Sequence, residues 1–458
     1  MTLTGLLILG SGFFLLTLAG IPEVSRHIRG LHYGWVIVGL GSVMWVTSTG
    51  IRFAASLLIP SLTDPDRAPY FGWSLGLIAF AFTIQFVLSG LLGPVAGWLA
   101  DRYGVRRVMV GGAILFIASM MLTGSMTQIW QFWLYFGVIM SASIAVFQVT
   151  LVAGVTYWFK TQLGLAMGIL QALLGIGTAA VVLLVFILFN SFGIRWTFWL
   201  PGILGGAILL LGIRYFYDEP AAIGMRPYGA SEDDPIRSPH NIETAKIRTA
   251  VFLRQAQRTT AFWNLIGIHF WGCAGHNVIL VFLIAMAEAS GMSQAMAVGV
   301  YITLTVVSAV SRFFAPVVAD RTGSKGVMGV CFALQTFPVL FLLVAQDPWG
   351  FFGFAVLFGI GMGGEMTAFP IINRQYFGDA PTGTTYGYQM LGAGMGMALG
   401  PLAAGFLWDL TGEYTGAIIL SFALSLVGII SIFALPTTTR HLLPEWEDTL
   451  PPEARTAV

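Results

Sequence analysis

Apolar runs of more than 20 residues recur along nearly the whole of this chain, and no other feature narrows its fold so far. A helix rises about 1.5 Å per residue, so about 20 such residues cross a hydrocarbon core about 30 Å thick. Only helices and closed barrels satisfy their own backbone hydrogen bonds in lipid, and barrels are built from short alternating strands that these runs do not resemble. The expected fold is therefore an all-α integral membrane bundle. Composition agrees: 9% of residues are charged, against about 25% in soluble domains, and the mean hydropathy is +0.82. A net charge of +1 gives no reason to expect a nucleic-acid partner. Cys273 and Cys331 both fall within apolar runs, where a thiol behaves as a small hydrophobe and not as part of a disulfide framework.

Hydropathy predicts twelve spans, near 33–60, 73–100, 108–126, 129–153, 163–190, 196–217, 261–287, 295–319, 326–345, 350–372, 384–408 and 413–435. A polar stretch from Asp218 to Arg258 separates the sixth from the seventh and reads as a surface linker. The chain thus divides into a hydrophobic N-terminal segment (1–30), a six-helix bundle (31–217), a linker (218–260), a second six-helix bundle (261–435) and a tail (436–458). Residues 2–22 are apolar enough for a thirteenth span and lack the basic flank of a secretory signal. An extra helix, an interfacial segment and a mis-assigned start all remain open for them.

Cytoplasmic loops carry an excess of positive charge, which orients the bundle. With the linker placed in the cytoplasm, 18 of the 22 Lys and Arg lie on that side: Arg26, Arg29, Arg102, Arg106, Arg107, Lys160, Arg214, the six in the linker, Arg321, Lys325, Arg374, Arg440 and Arg455. Arg67 and Arg195 fall outside. The expected location is the inner (plasma) membrane, with linker and C-terminus cytoplasmic. Two arginines remain within the spans. Arg312 stands about eight residues, or about 12 Å, from the charged cluster ending its span, and Arg52 about as far from Pro60, so both are expected near the midplane. A guanidinium keeps its proton at that depth and is costly to bury, so such a residue marks a site.

Between spans two and three runs GWLADRYGVRRV (Gly97–Val108), and between spans eight and nine PVVADRTGSKGV (Pro316–Val327). The pattern appears once per half, which reveals an internal repeat. Asp101 and Asp320 end helices at the membrane surface, where a carboxylate pairs with cations or a neighbouring helix N-terminus; Gly104 and Gly323 permit the tight turn. The two copies resemble the cytoplasmic loop motif of the major facilitator superfamily. From about residue 31 onward, that resemblance implies a twelve-helix bundle of two six-helix halves, with Gly97, Asp101, Arg102, Gly104, Arg106, Asp320, Arg321, Gly323 and Lys325 as a cytoplasmic gate.

Three more stretches narrow the family: HYGWVIVGLGSVMW (His32–Trp45), YWFKTQLGLAMGILQALLGIG (Tyr157–Gly177), and the run from Gln375 to Tyr414. They are similar to the monocarboxylate transporters and the oxalate/formate antiporters. That likeness implies that Arg312 binds a substrate carboxylate and that a Lys near the position of Arg52 assists. The family's coupling Asp, one turn before the arginine, is Ser308 here, which puts proton coupling at that place in doubt. Glu365 is the one carboxylate expected deep in the membrane, either as proton carrier or as standing partner to an arginine. His269 and His276 share one face of span seven, with Asn277 beside the second. His276 and Asn277 are candidate substrate ligands, and Glu365 and His276 candidate coupling groups. Glycines spaced by four, Gly392, Gly396 and Gly400 in span eleven and Gly164 and Gly168 in span five, predict faces where backbones meet and halves rock.

The leading expectation is a secondary carrier of small organic anions, proton-coupled or anion-exchanging, with no cofactor and no metal. The lysines, Lys160, Lys246 and Lys325, never follow a glycine, so a nucleotide-binding Gly-Lys loop is absent, and so is a His-Glu-x-x-His pair. An exporter of drugs or aromatic compounds and a non-transporting anion sensor are the alternatives. Oligomeric state is not legible.

Overall fold

The computed structural model describes residues 32–54, 62, 72–231, 242–345, 347–378 and 380–455. The N-terminal hydrophobic segment, Arg26, Arg29, Arg67 and Arg237 lie outside them. The first set of helices comprises α1 (Tyr33–Ala54), α2 (Leu75–Tyr103), α3 (Val105–Gly124) and α4 (Ile129–Trp158), followed by one 53-residue helix, Leu163–Tyr215. Fifty-three helical residues would extend about 80 Å, far beyond a bilayer core. Gly193 breaks that helix with φ 74° and ψ −179°, a backbone that suits glycine alone, and so makes two spans, α5 (163–192) and α6 (194–215). A linker helix, α7 (Ile242–Ala256), precedes α8 (Thr260–Ala289), α9 (Gln294–Thr322), α10 (Ser324–Leu343), α11 (Pro348–Phe377), α12 (Thr382–Thr411) and α13 (Thr415–Phe433). Among the described residues, eleven helices are long and apolar enough to span, and the break at Gly193 raises them to the expected twelve.

Two irregularities bear on function. Residues Trp133–Ile139 of α4 are π-helical, and α11 is interrupted at 366–368, directly after Glu365. Pro370 explains the second, since it has no N–H to give the carbonyl of Met366 and stands in the first turn of the segment Phe369–Phe377. Broken helices in carriers expose backbone polar groups where a site is built.

The halves meet along two crossings, α2 with α12 and α5 with α9. On the first, Gly90, Gly93 and Gly97 face Gly383, Gly387 and Gly394, so closely that a Cβ at Gly97 would strike the Gly383 carbonyl. On the second, Gly164 and Gly168 lie on the carbonyls of Pro316 and Phe313. The row Gly392, Gly396 and Gly400 does something else. It packs against Ile266, Phe270 and Ala274 of α8, inside its own half, and so is not the face between halves that its spacing suggested; on α12 that face carries Gly383, Gly387 and Gly394.

The linker is more than a surface strand. Its first part returns to the N-terminal half: Tyr228 N–H donates to Trp158 O at 2.8 Å, and Lys160 N–H donates to Tyr228 O at 2.9 Å. His32 joins it, accepting from Gly34 N–H at Nδ1 (3.1 Å) and meeting Arg226 O at Nε2 (3.0 Å). Burial pushes that imidazole's pKa down, in keeping with the neutral tautomer these bonds require. The second part, α7, lies against α2 and holds the tail: Arg248 pairs with Glu447 and stacks over the Trp446 ring at 4.9 Å, and Phe252 meets both Trp446 and Phe377.

Candidate functional site

Two neighbourhoods gather the residues of interest. The first closes the bundle on the linker side. Asp101, at the end of α2, accepts from Gly383 N–H (3.0 Å), Thr384 N–H (2.7 Å) and Thr384 Oγ1 (2.6 Å), all at the first turn of α12, and from the Tyr157 hydroxyl (3.4 Å). Helix N-termini present unsatisfied N–H groups and the positive end of the dipole, so a carboxylate binds well there. Asp320, at the end of α9, repeats the arrangement by accepting from Gly164 N–H at the start of α5, 3.1 Å away. Each carboxylate of the repeated motif thus caps a helix of the opposite half.

The remaining motif residues shape the turns. Gly104 and Gly323 have φ of 91° and 98°, which a side chain would strain. Arg102 does not pair with Asp101 and instead lies over Trp98 at 4.8 Å. Arg106 N–H donates to Asp218 Oδ1 at 2.7 Å, and its guanidinium reaches Arg214 O. Lys325 Nζ donates to the carbonyls of Phe433 and Leu435 at the end of α13, a cation at a helix C-terminus. Arg321 is exposed. Asp218, which caps the start of α3, is not singled out by the motif, because it lies 112 residues away.

The second neighbourhood lies deep in the C-terminal half. His276 Nδ1 of α8 and Glu365 Oε2 of α11 are 2.9 Å apart, the two side chains 2% and 0% exposed. The expected standing partner of Glu365, an arginine, is thereby replaced by a histidine. Glu365 Oε1 has no hydrogen-bond partner among the described residues. Gly272 is what lets the carboxylate reach α8, since a Cβ there would strike Oε1. Arg312 of α9 is half-buried and within electrostatic reach of Glu365 and Cys273, but its one hydrogen bond among the described residues is a long one to Ser308 Oγ, 3.5 Å.

The structure does not bring all the candidates together. Arg52 keeps to its own half, donating to Ser89 Oγ at 3.2 Å with its guanidinium 3.9 Å above the Phe86 ring. The described part of α1 ends at Ala54, so the mid-depth expected for Arg52 rests on residues outside the described set. Asn277 spends its amide on Met397 O (2.6 Å), joining α8 to α12. His269 is fully buried, stacked on Phe369 with ring centroids 3.9 Å apart, and neither of its nitrogens has a partner among the described residues. Ligand atoms of Cys273, His276 and Glu365 lie within 4.8 Å of one another. Such a set suits a shared proton or a soft divalent ion, and the charge of Arg312 beside it works against the second.

Two helical halves, crossed helix caps and a buried polar cluster among apolar spans define the class: a membrane transport protein. A model of the Major Facilitator Superfamily matches residues 44–325 and again 265–456, and the chain belongs to that superfamily. It is 25% identical over 394 residues to the MFS transporter asaE of Aspergillus flavus, covering 84% of this chain and 81% of that one. Similar likeness extends to the oxalate:formate antiporter of Oxalobacter formigenes, 22% over 410 residues, covering 85% and 89%. Monocarboxylate transporter 2 of Meriones unguiculatus is 24% identical over 421 residues, covering 88% and 83%. Among solved structures, the proton:xylose symporter XylE superposes with a TM-score of 0.68 at 14% identity, covering 92% of this chain and 99% of that one. The chain is accordingly a multi-pass membrane transporter.

Proposed function

We propose that this transporter moves small carboxylates across the inner (plasma) membrane by alternating access, with linker and tail in the cytoplasm, using a proton or a counter-anion to drive the cycle. One observation carries the reading. Arg312 is a permanent cation among apolar helices, and the carboxylate nearest in charge, Glu365, is bonded to His276 instead. A guanidinium in that state has strong, fork-shaped donors to offer an incoming carboxylate. Arg52 is a second buried cation, in the other half and bonded there to Ser89, and the names of the relatives, an oxalate:formate antiporter and a monocarboxylate transporter, agree with an anionic substrate.

The gate supports the alternating part of the reading. Asp101 and Asp320 hold the linker side shut by bonds that cross between halves, and those are the bonds a swing of one half would have to break. The test is uptake of labelled formate, lactate and oxalate into proteoliposomes by wild type, Arg312→Lys and Arg312→Ala. Arg312→Ala should transport at less than about a hundredth of the wild-type rate, the loss of a buried charge-assisted pair worth about 3 kcal/mol. Arg312→Lys should retain a weak residue of activity. Normal uptake by the alanine variant would remove Arg312 from the site.

A further inference from the structure

Two groups deep in the C-terminal half have buried polar atoms without a hydrogen-bond partner among the described residues: Glu365 at Oε1 and His269 at both ring nitrogens. Buried polar atoms without partners are rare in folded proteins, and each calls for a reason. The two lie on either side of the break in α11: Glu365 is the last residue before it, and Phe369, on which His269 stacks, opens the helix after it. On α8 the residues His269, Cys273 and His276 fall at intervals of four and three, hence on one face. His269 is nearer the end where α8 joins the linker helix.

We infer that the driving ion is a proton held between His276 Nδ1 and Glu365 Oε2, and that His269 is its next acceptor on the way to the linker side. The inference rests on the carboxylate reading above. Charge is its foundation. With the proton aboard, the pair is neutral and Arg312 is left with a net charge of +1, which a carboxylate monoanion cancels. Without it, the pair is −1 and cancels Arg312 unaided. Both the loaded, protonated site and the empty, deprotonated site are therefore neutral, whereas either ligand alone leaves a net charge among apolar helices, which is expensive. Arg52, bonded to Ser89 and stacked on Phe86 within its own half, is not part of this count. Proton and monoanion then bind and leave together, one of each, and no bond changes except the N–H or O–H that carries the proton.

The surrounding titratable groups leave this intact. From α8 the pair meets Cys273 and His269, from α9 Arg312, from α10 Cys331, whose thiol also feels Glu365, and from α12 Tyr386, which reaches Cys273. The helix α13 contributes only hydroxyls, Ser421 and Ser425, beside Gly275. Arg312 is the one fixed charge in the set. Ser308, at the place where the family has an acid, is bonded to Arg312 and carries no proton to exchange. The acid of the proposed pair is thus on α11 and its base on α8.

The experiment separates coupling from binding. Proteoliposomes holding wild type, Glu365→Gln, His276→Gln or His269→Phe are given an inward proton gradient and labelled formate, lactate or oxalate, and internal pH is followed by a trapped dye. The same vesicles are assayed for exchange of labelled for unlabelled acid at equal pH. Wild type should accumulate a monocarboxylate and acidify the lumen by one proton per molecule. Glu365→Gln and His276→Gln should lose at least tenfold in accumulation and acidify the lumen by far less than one proton per molecule taken up, with wild-type size-exclusion profiles showing that they fold. His269→Phe, which keeps the stacking on Phe369, should slow gradient-driven uptake at least fivefold and spare exchange. Accumulation by Glu365→Gln equal to wild type overturns the proton site, and unchanged uptake by His269→Phe removes it from the path. If wild type moves no member of the panel, it is the carboxylate reading that fails.

Discussion

The two acids of the repeated motif are equivalent in sequence and unequal in the structure. Asp101 is 6% exposed and accepts four hydrogen bonds, three of them from the start of α12. Asp320 is exposed and accepts one, from Gly164 N–H. A hydrogen bond to a charged group contributes about 1.5–3 kcal/mol and a solvated one far less. Asp101→Asn should therefore free the linker side by about 3 kcal/mol, and Asp320→Asn by less than about 1 kcal/mol. Distances between spin labels placed at the exposed positions Arg107 and Thr322 would show this as a large shift toward separated halves in the first variant and a small one in the second; equal shifts would refute the ranking. At this scale the sequence is a good guide wherever partners follow a local pattern, as with the motif acids and the glycines that turn after them. It is silent on pairs such as His276 with Glu365, 89 residues apart, because no periodicity of either helix announces the other. The bidentate amide pair of Asn373 with Gln389, at 3.0 and 2.9 Å, went unseen for a related reason: the two stand on different helices either side of a turn.

Elements divide the glycines by task. On α12, Gly383 and Gly387 touch α2 across the halves, whereas Gly392, Gly396 and Gly400 touch α8 within one half. Spacing by four residues places a set on one face of a helix, but it does not say which neighbour that face will meet. That is why the count of spans was readable and the face shared between the halves was not. The distinction has a measurable consequence. An added methyl at a close backbone contact costs about 1–3 kcal/mol in forced separation. At Gly387 the strain exists only while the halves are closed on the linker side, so Gly387→Ala should leave the melting temperature nearly unchanged and open that side. At Gly396 it exists in every state, so Gly396→Ala should lower the melting temperature by several degrees and leave the spin-label distances as in wild type. The reverse assignment of effects would sink the division. Breaks follow the same logic: hydropathy marks α11 as one span, while Pro370 cuts it beside Glu365, the carboxylate of the buried His276 pair.

Across the whole molecule the halves are joined on the linker side by more than the gate. The helix α7 lies between α2 of one half and the tail that follows α13 of the other, and it also touches α12. Its hold on the tail includes Arg248 with Glu447 and with Ala454 O, Gln255 with Thr449 at 2.7 Å, and the rings of Phe252, Trp446 and Phe377. The tail in turn is bound to the end of α11, with Leu442 N–H donating to Tyr376 O and the Tyr376 hydroxyl to Pro436 O. If the halves part on this side, α7 must surrender either α2 or the tail, so its packing adds to the barrier. Trp446 is 5% exposed, and removal of so large a buried side chain costs about 3–5 kcal/mol. Trp446→Ala should therefore speed exchange of substrate at equal pH and raise the share of separated spin-label distances, with Arg248→Ala acting in the same direction but less strongly. A Trp446→Ala protein that melts earlier yet shows wild-type distances and exchange would make the tail a support of one half only. The gate at Asp101 and Asp320 would then be the whole of what holds the two together.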